Sequence, residues 1–167
     1  RDHKVYALNG KTGTKRWEFK TRGDVRSPPA IGFDGTVYVG TQSRAGGRIF
    51  AIPDANRDGK ADEVITITSG LKRPSGLTYH NGDLYIGAIS RIYKISNIEN
   101  SYRNKPDPEV IFSNLPDKTH HGWKFLEFGP DGLLYIPIGA PCNICEPEEE
   151  FATLNTLDIN NPELGIT

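Results

Sequence analysis

Three segments of this chain repeat one pattern: a short apolar run, an Asp-Gly or Asn-Gly pair, and a second run carrying a tyrosine. They are Pro29-Ala-Ile-Gly-Phe-Asp-Gly-Thr-Val-Tyr-Val-Gly40, Ser75-Gly-Leu-Thr-Tyr-His-Asn-Gly-Asp-Leu-Tyr-Ile-Gly87 and Phe125-Leu-Glu-Phe-Gly-Pro-Asp-Gly-Leu-Leu-Tyr-Ile-Pro137. Their turn glycines, Gly35, Gly82 and Gly132, lie 47 and then 50 residues apart. Asx-Gly is the pair that type I′ hairpins prefer, because both central residues need φ > 0. A period of this length marks an array in which each unit buries its apolar face on the next.

A further strand follows the tyrosine run as Arg48-Ile-Phe-Ala-Ile52 and Arg91-Ile-Tyr-Lys-Ile95, with Lys4-Val-Tyr-Ala-Leu8 as an earlier copy and Thr153-Leu-Asn-Thr-Leu157 as a later one. Fourth strands over 15–21, 63–68 and 109–112 complete the period. Four antiparallel strands per period make a β-propeller blade. The expectation is an all-β chain, a partial β-propeller of about three to four four-stranded antiparallel blades, with no helix of length. A β-sandwich with similar hairpins is the alternative. Closed propellers typically use about four to eight blades, so the ring is expected to be incomplete. That implies a piece of a longer chain, in keeping with the lack of any methionine, or self-association through open blade edges.

The charge balance narrows the partners. Twenty Lys and Arg stand against 21 Asp and Glu, for a net charge of −1. No overall field is available to hold a nucleic-acid backbone. No apolar run approaches the roughly 18 residues of a membrane span.

Ala7-Leu-Asn-Gly-Lys-Thr-Gly-Thr-Lys-Arg-Trp17 places a Thr-Gly turn before a tryptophan and resembles the repeat of quinoprotein-type propellers. In those repeats the Trp docks between neighbouring blades. A wider resemblance runs from Arg48 to Ile159, carried by Gly70-Leu-Lys-Arg-Pro-Ser-Gly-Leu77 and above all by His120-His-Gly-Trp-Lys-Phe-Leu-Glu-Phe-Gly-Pro-Asp-Gly-Leu-Leu-Tyr135 and Gly139-Ala-Pro-Cys-Asn-Ile-Cys145. These look like the glucose/sorbosone dehydrogenases, closest to the sorbosone-like branch. The resemblance implies residues 1–47 as a quinoprotein-like repeat and 48–167 as dehydrogenase-like blades of one continuous propeller. It also implies pyrroloquinoline quinone (PQQ) as cofactor, oxidation of a sugar at its anomeric carbon with hydride transfer to the quinone, an external electron acceptor, and a periplasmic or secreted location.

The family's catalytic histidine lies eight residues before the Gly-Pro-Asp turn, which is His121 here. The chemistry asks for such a residue, since a base must take the hydroxyl proton and imidazole titrates near neutrality. His120, Lys124 and Asn143 are candidates to hold the quinone, and each is equally readable as a solvated surface group. One departure stands out. The acidic residue that orients the histidine in the family is replaced by Ala140. The family's substrate arginine and the carbonyls that hold its Ca²⁺ come from later blades. A non-catalytic propeller that scaffolds other proteins is the rival reading.

Asp54, Asn56, Asp58, the Lys60 carbonyl and Asp62 fall at positions 1, 3, 5, 7 and 9 of an EF-hand-like spacing, with Gly59 at position 6. Converging oxygens of this kind suit Ca²⁺. Ile65 stands where the bidentate glutamate belongs, so affinity would be weak, and an ion-free Asx-rich turn is equally open. Cys142-Asn-Ile-Cys145 lacks the further ligands of a zinc site and the βαβ context of a thioredoxin site. A local disulfide pinning this loop is expected, which suits an oxidising compartment. Residues 102–108 read as a polar connector between strands, and 146–150 as a solvated acidic loop.

Overall fold

In this chain the runs rich in Val, Ile and Tyr, bounded by Gly, Pro and Asn, become strands, as packing on a pleated surface favours. The computed structural model describes residues 2–42 and 46–167. The expected junction between the two propeller types, near 41–48, therefore falls partly on residues 43–45, outside the described residues.

Strands β1 (Lys4–Leu8) and β2 (Lys15–Lys20) form a two-stranded sheet. A five-stranded sheet holds β3 (Asp24–Val25), β4 (Ala30–Ile31), β5 (Val37–Gln42), β6 (Gly47–Ile52) and β7 (Ile65–Leu71). A four-stranded sheet in the order β11-β10-β9-β8 holds β8 (Gly76–His80), β9 (Asp83–Gly87), β10 (Ile92–Ile95) and β11 (Glu109–Phe112). The last sheet holds β12 (Glu127–Phe128), β13 (Leu134–Ile138) and β14 (Thr153–Leu157). All the pairings are antiparallel. The repeated hairpins are β4–β5, β8–β9 and β12–β13. The chain is an all-β partial propeller.

Among the described residues only the β8–β11 sheet has the expected four strands in simple order. The five-stranded sheet is the same blade with its first strand broken in two: Val25 pairs with Thr41 and Ile31 with Val37, both on β5. Pro28 and Pro29 lie in the break, where they have no N–H to give to a ladder. In the last sheet a single bridge between Leu157 and Ile166 stands in place of a fourth strand.

The turns divide into two kinds. Asn81 (φ 50°) and Gly82 (φ 88°) form the two-residue turn expected between His80 and Asp83. At Asp34-Gly35 and Asp131-Gly132 only the glycines, at φ 90° and 79°, are left-handed, so the type I′ expectation fails there. The Gly35 N–H donates to Gly32 O and the Gly132 N–H to Gly129 O, both at 3.0 Å, closing wider type I turns. The Asp34 carboxylate accepts from the N–H and hydroxyl of Thr36, and Asp131 accepts from the Leu133 N–H. These Asx bonds, with Pro130 at the second turn position, favour that geometry.

Each sheet buries a face on the next. Val5, Val39 and Ile52, with Trp17 and Phe19 packed against them, fill the space between the first hairpin and the five-stranded sheet. Tyr38, Ile49, Leu77 and Ile86 fill the next interface, and Tyr85, Ile92, Leu126 and Leu134 the last. Full burial of one such aliphatic side chain is worth about 1.5–3 kcal/mol, so neighbouring blades stabilise one another. A short helix α1 (Ile98–Ser101) and a 3-10 turn (Tyr102–Asn104) follow β10. The polar-connector expectation for 102–108 is corrected here: Ile98 and Tyr102, four residues apart, both enter the core.

Candidate functional site

The antiparallel pairings bring one set of loops to a common end of the sheets: residues 21–23, 72–75, 88–91, 113–126 and 139–152. Cross-loop contacts tie that end together. Arg73 donates to the Thr119 carbonyl at 3.3 Å, and the Leu115 N–H donates to Ser90 O at 3.3 Å. The Arg26 guanidinium lies over the Trp123 ring, 5.1 Å from its centroid.

His121 sits in the middle of this segment, half-buried and in the left-handed region at φ 49°. Its Nδ1 is 3.1 Å from the Ala140 carbonyl oxygen. A carbonyl can only accept, so Nδ1 carries the hydrogen, which in the neutral ring leaves the lone pair on Nε2. A main-chain oxygen of Ala140 thus holds the ring by its Nδ1 side. The close approach depends on Gly139, where a Cβ would collide with the His121 backbone oxygen.

His120 is exposed, and its Nε2 lies 3.3 Å from Asn143 Oδ1. The two histidine rings are 4.0 Å apart between centroids, tilted by 54°. Cys142 and Cys145 are joined by a disulfide that closes the loop holding Asn143. One short loop thus contacts both histidines.

Lys124 lies elsewhere. It is 1% exposed, its Nζ donates to Gly122 O at 3.1 Å, and its backbone N–H donates to Ser75 Oγ at 2.9 Å. Burial lowers its pKa, because the ammonium has lost solvent. The structure brings His120, His121 and Asn143 together and puts Lys124 in the interior, not on the surface. Arg26, Trp123 and Asp24 went unrecognised in the sequence. Arg26 donates to Asp24 Oδ2 at 2.9 Å while stacking on Trp123, and a contact between segments as far apart in the chain as those of Arg26 and Trp123 leaves no local signature.

The oxygens expected to bind calcium are turned to the backbone. Asp54 accepts from the N–H groups of Asp58 and Gly59, at 3.1 and 2.8 Å. Asn56 accepts from Asp58, Asp58 from Lys60, and Asp62 from Ala55. Among the described residues no three His, Cys, Asp or Glu side chains are grouped to hold a metal ion, and no helix is long and apolar enough to cross a membrane.

No protein-family model matches this chain. A curated protein of Borreliella burgdorferi, described as an uncharacterized protein, is 24% identical over 137 residues, covering 75% of this chain and 34% of its own length. Among solved structures, the holo form of the pyranose dehydrogenase PQQ domain from Coprinopsis cinerea aligns with a TM-score of 0.63 at 14% identity, over 83% of this chain and 35% of that one. An oxidoreductase of Thermus thermophilus, described as a glucose dehydrogenase, gives a TM-score of 0.48 at 16% identity, over 81% and 39%. The likeness to the PQQ domain shows a shared fold. The chain spans about a third of the length of the curated relative and of the fungal domain.

Proposed function

We propose that this chain is part of a PQQ-dependent sugar dehydrogenase of the glucose/sorbosone type, with residues 1–47 and 48–167 contributing to one propeller and a periplasmic or secreted location. The observation that carries this reading is His121: half-buried at the loop end of the sheets, with Nδ1–H held by Ala140 O. The fold shared with a PQQ domain supports it.

PQQ is a flat polyanion, and the donors at this end suit it: exposed His120, the Asn143 amide beside it, and the Arg26 guanidinium on Trp123. These residues would hold it, and when bound it supplies the hydride acceptor. The protein's part is acid–base chemistry and position. Nε2 of His121 takes the proton of the anomeric hydroxyl. The Ala140 carbonyl keeps that nitrogen aimed throughout, since the ring cannot turn without losing its bond to Nδ1.

Calcium at Asp54, Asn56, Asp58, Lys60 and Asp62 is a separate proposal, supported by the spacing of the oxygens. The full-length protein, reconstituted with PQQ and assayed by dye reduction over a panel of aldoses, tests the main reading. Quinone-dependent turnover is expected with at least one sugar. Absence of quinone binding would favour a scaffolding propeller instead.

A further inference from the structure

We infer that the crevice lined by Lys72, Ala88, Ser90, Arg91 and Tyr93 is a binding site for a compact oxyanion, a carboxylate or phosphate group. The crevice opens beside the link from β7 to β8 and the turn from β9 to β10, and its volume is about 250 Å³. At roughly 30 Å³ per water, that holds several waters or one small acid.

Two ties fix the backbone that carries the cations. The Ile89 N–H donates to Lys72 O at 3.3 Å, and the Ala88 N–H donates to Arg91 O at 2.9 Å. The turn therefore presents Ser90 and Arg91 beside Lys72 from a braced frame. No acidic side chain lines the crevice.

Several basic side chains elsewhere in the described residues are neutralised: Lys4 and Lys15 on Glu18, Arg26 on Asp24, Lys94 on Asp83, Arg103 on Glu63. Lys72 and Arg91 have no ion-pair partner among the described residues, and the Ser90 hydroxyl has no hydrogen bond. A chain with a net charge of −1 leaves two cations and a hydroxyl donor together in one concavity. A guanidinium fork, an ammonium point charge and a hydroxyl are the donors that carboxylate and phosphate groups take.

The site neighbours the histidine segment. A Cβ added at Gly122 would lie 3.1 Å from Ile89 Cδ1, and Ser90 O accepts from Leu115 on the same segment. The inference does not depend on PQQ or on turnover, so its failure and that of the dehydrogenase reading are distinguishable.

Isothermal titration of the chain with inorganic phosphate, glucuronate, glucose and chloride, at constant ionic strength, tests it. Phosphate, glucuronate or both should bind with saturation and chloride should not, while any glucose binding, at the sugar site, should be unaffected by Lys72→Gln or Arg91→Gln. Binding by phosphate alone assigns a free or ester phosphate as the source; binding by glucuronate alone assigns a sugar acid. Lys72→Gln and Arg91→Gln should each weaken binding by about tenfold or more, in keeping with charge-assisted bonds. Arg91→Lys should fall between, and Lys11→Gln in the distant first hairpin should bind as the parent does. Melting curves matched to the parent confirm that the exposed variants fold. Equal displacement by chloride, or parental affinity in both Gln variants, would overturn the inference.

Discussion

His121 and Ala140 meet through the ring Nδ1 and a main-chain oxygen 3.1 Å away. That oxygen stands in the stretch where the resembled dehydrogenases carry an acidic side chain. Because the backbone makes the contact, the residue type at position 140 is nearly free. Ala140→Ser should therefore leave the histidine tautomer and sugar oxidation unchanged. His121→Ala in the full-length protein should lower dye-linked oxidation by on the order of 10²-fold or more, the scale of a positioned base, without abolishing quinone binding. Parental rates in that variant would remove His121 from the mechanism.

The Cys142–Cys145 disulfide should matter to both histidines, because its loop supplies Asn143 to His120 and adjoins Ala140. Closing so short a loop stabilises the folded state by roughly 2 kcal/mol at most in the chain-entropy account. Cys142→Ser with Cys145→Ser should lower stability by up to that amount. It should also shift and broaden the ring signals of His120 and His121 in NMR spectra. Unchanged histidine signals in the double variant would show that the loop does not set their orientation.

The β8–β9 hairpin was legible because Asn81-Gly82 is a turn signal that the backbone obeys, with both residues left-handed. Helix α1 is four residues long, too short for a helical period to register, and its core residues Ile98 and Tyr102 sit in a polar stretch. The sequence offered His121 and carries no acid at position 140. It had no means of showing that a carbonyl, which every residue carries, accepts from that ring. The burial of Lys124 was illegible for a related reason: a lysine in a charged-looking segment gives no sign that the fold will close over it.

Burial of Lys124 makes a pH prediction. Its pKa is lowered from the ordinary 10.5 by desolvation. Between the depressed value and 10.5 the unfolded chain binds the proton more tightly than the folded chain, so stability rises with pH across that window. Below the window the full penalty of a buried ammonium applies. Lys124→Met, which keeps the length and loses the charge, should raise stability near neutral pH by on the order of 1 kcal/mol. It should also flatten the alkaline rise in chemical denaturation. Equal slopes for parent and variant would mean that the ammonium stays solvated.

Calcium at the 54–62 loop should bind weakly for two independent reasons. Ile65 fills the place of the bidentate glutamate. The oxygens of Asp54, Asp58 and Asp62 already accept backbone N–H groups, so a cation must share them. Affinity near 10⁻⁴ to 10⁻³ M is the expected range for such a site, roughly that of extracellular modules. An ion that binds only the folded state adds RT ln(1 + [L]/Kd), about 1.4 kcal/mol at tenfold excess over Kd, so millimolar Ca²⁺ should raise the melting temperature. Asp54→Asn with Asp58→Asn should remove most of that increment. The amide oxygens still accept from the backbone, so the calcium-free melting temperature should fall only slightly. An identical calcium response in the double variant would place the ion elsewhere, and a parent that does not respond would leave the loop as hydrogen-bonded Asx turns that order the chain between β6 and β7.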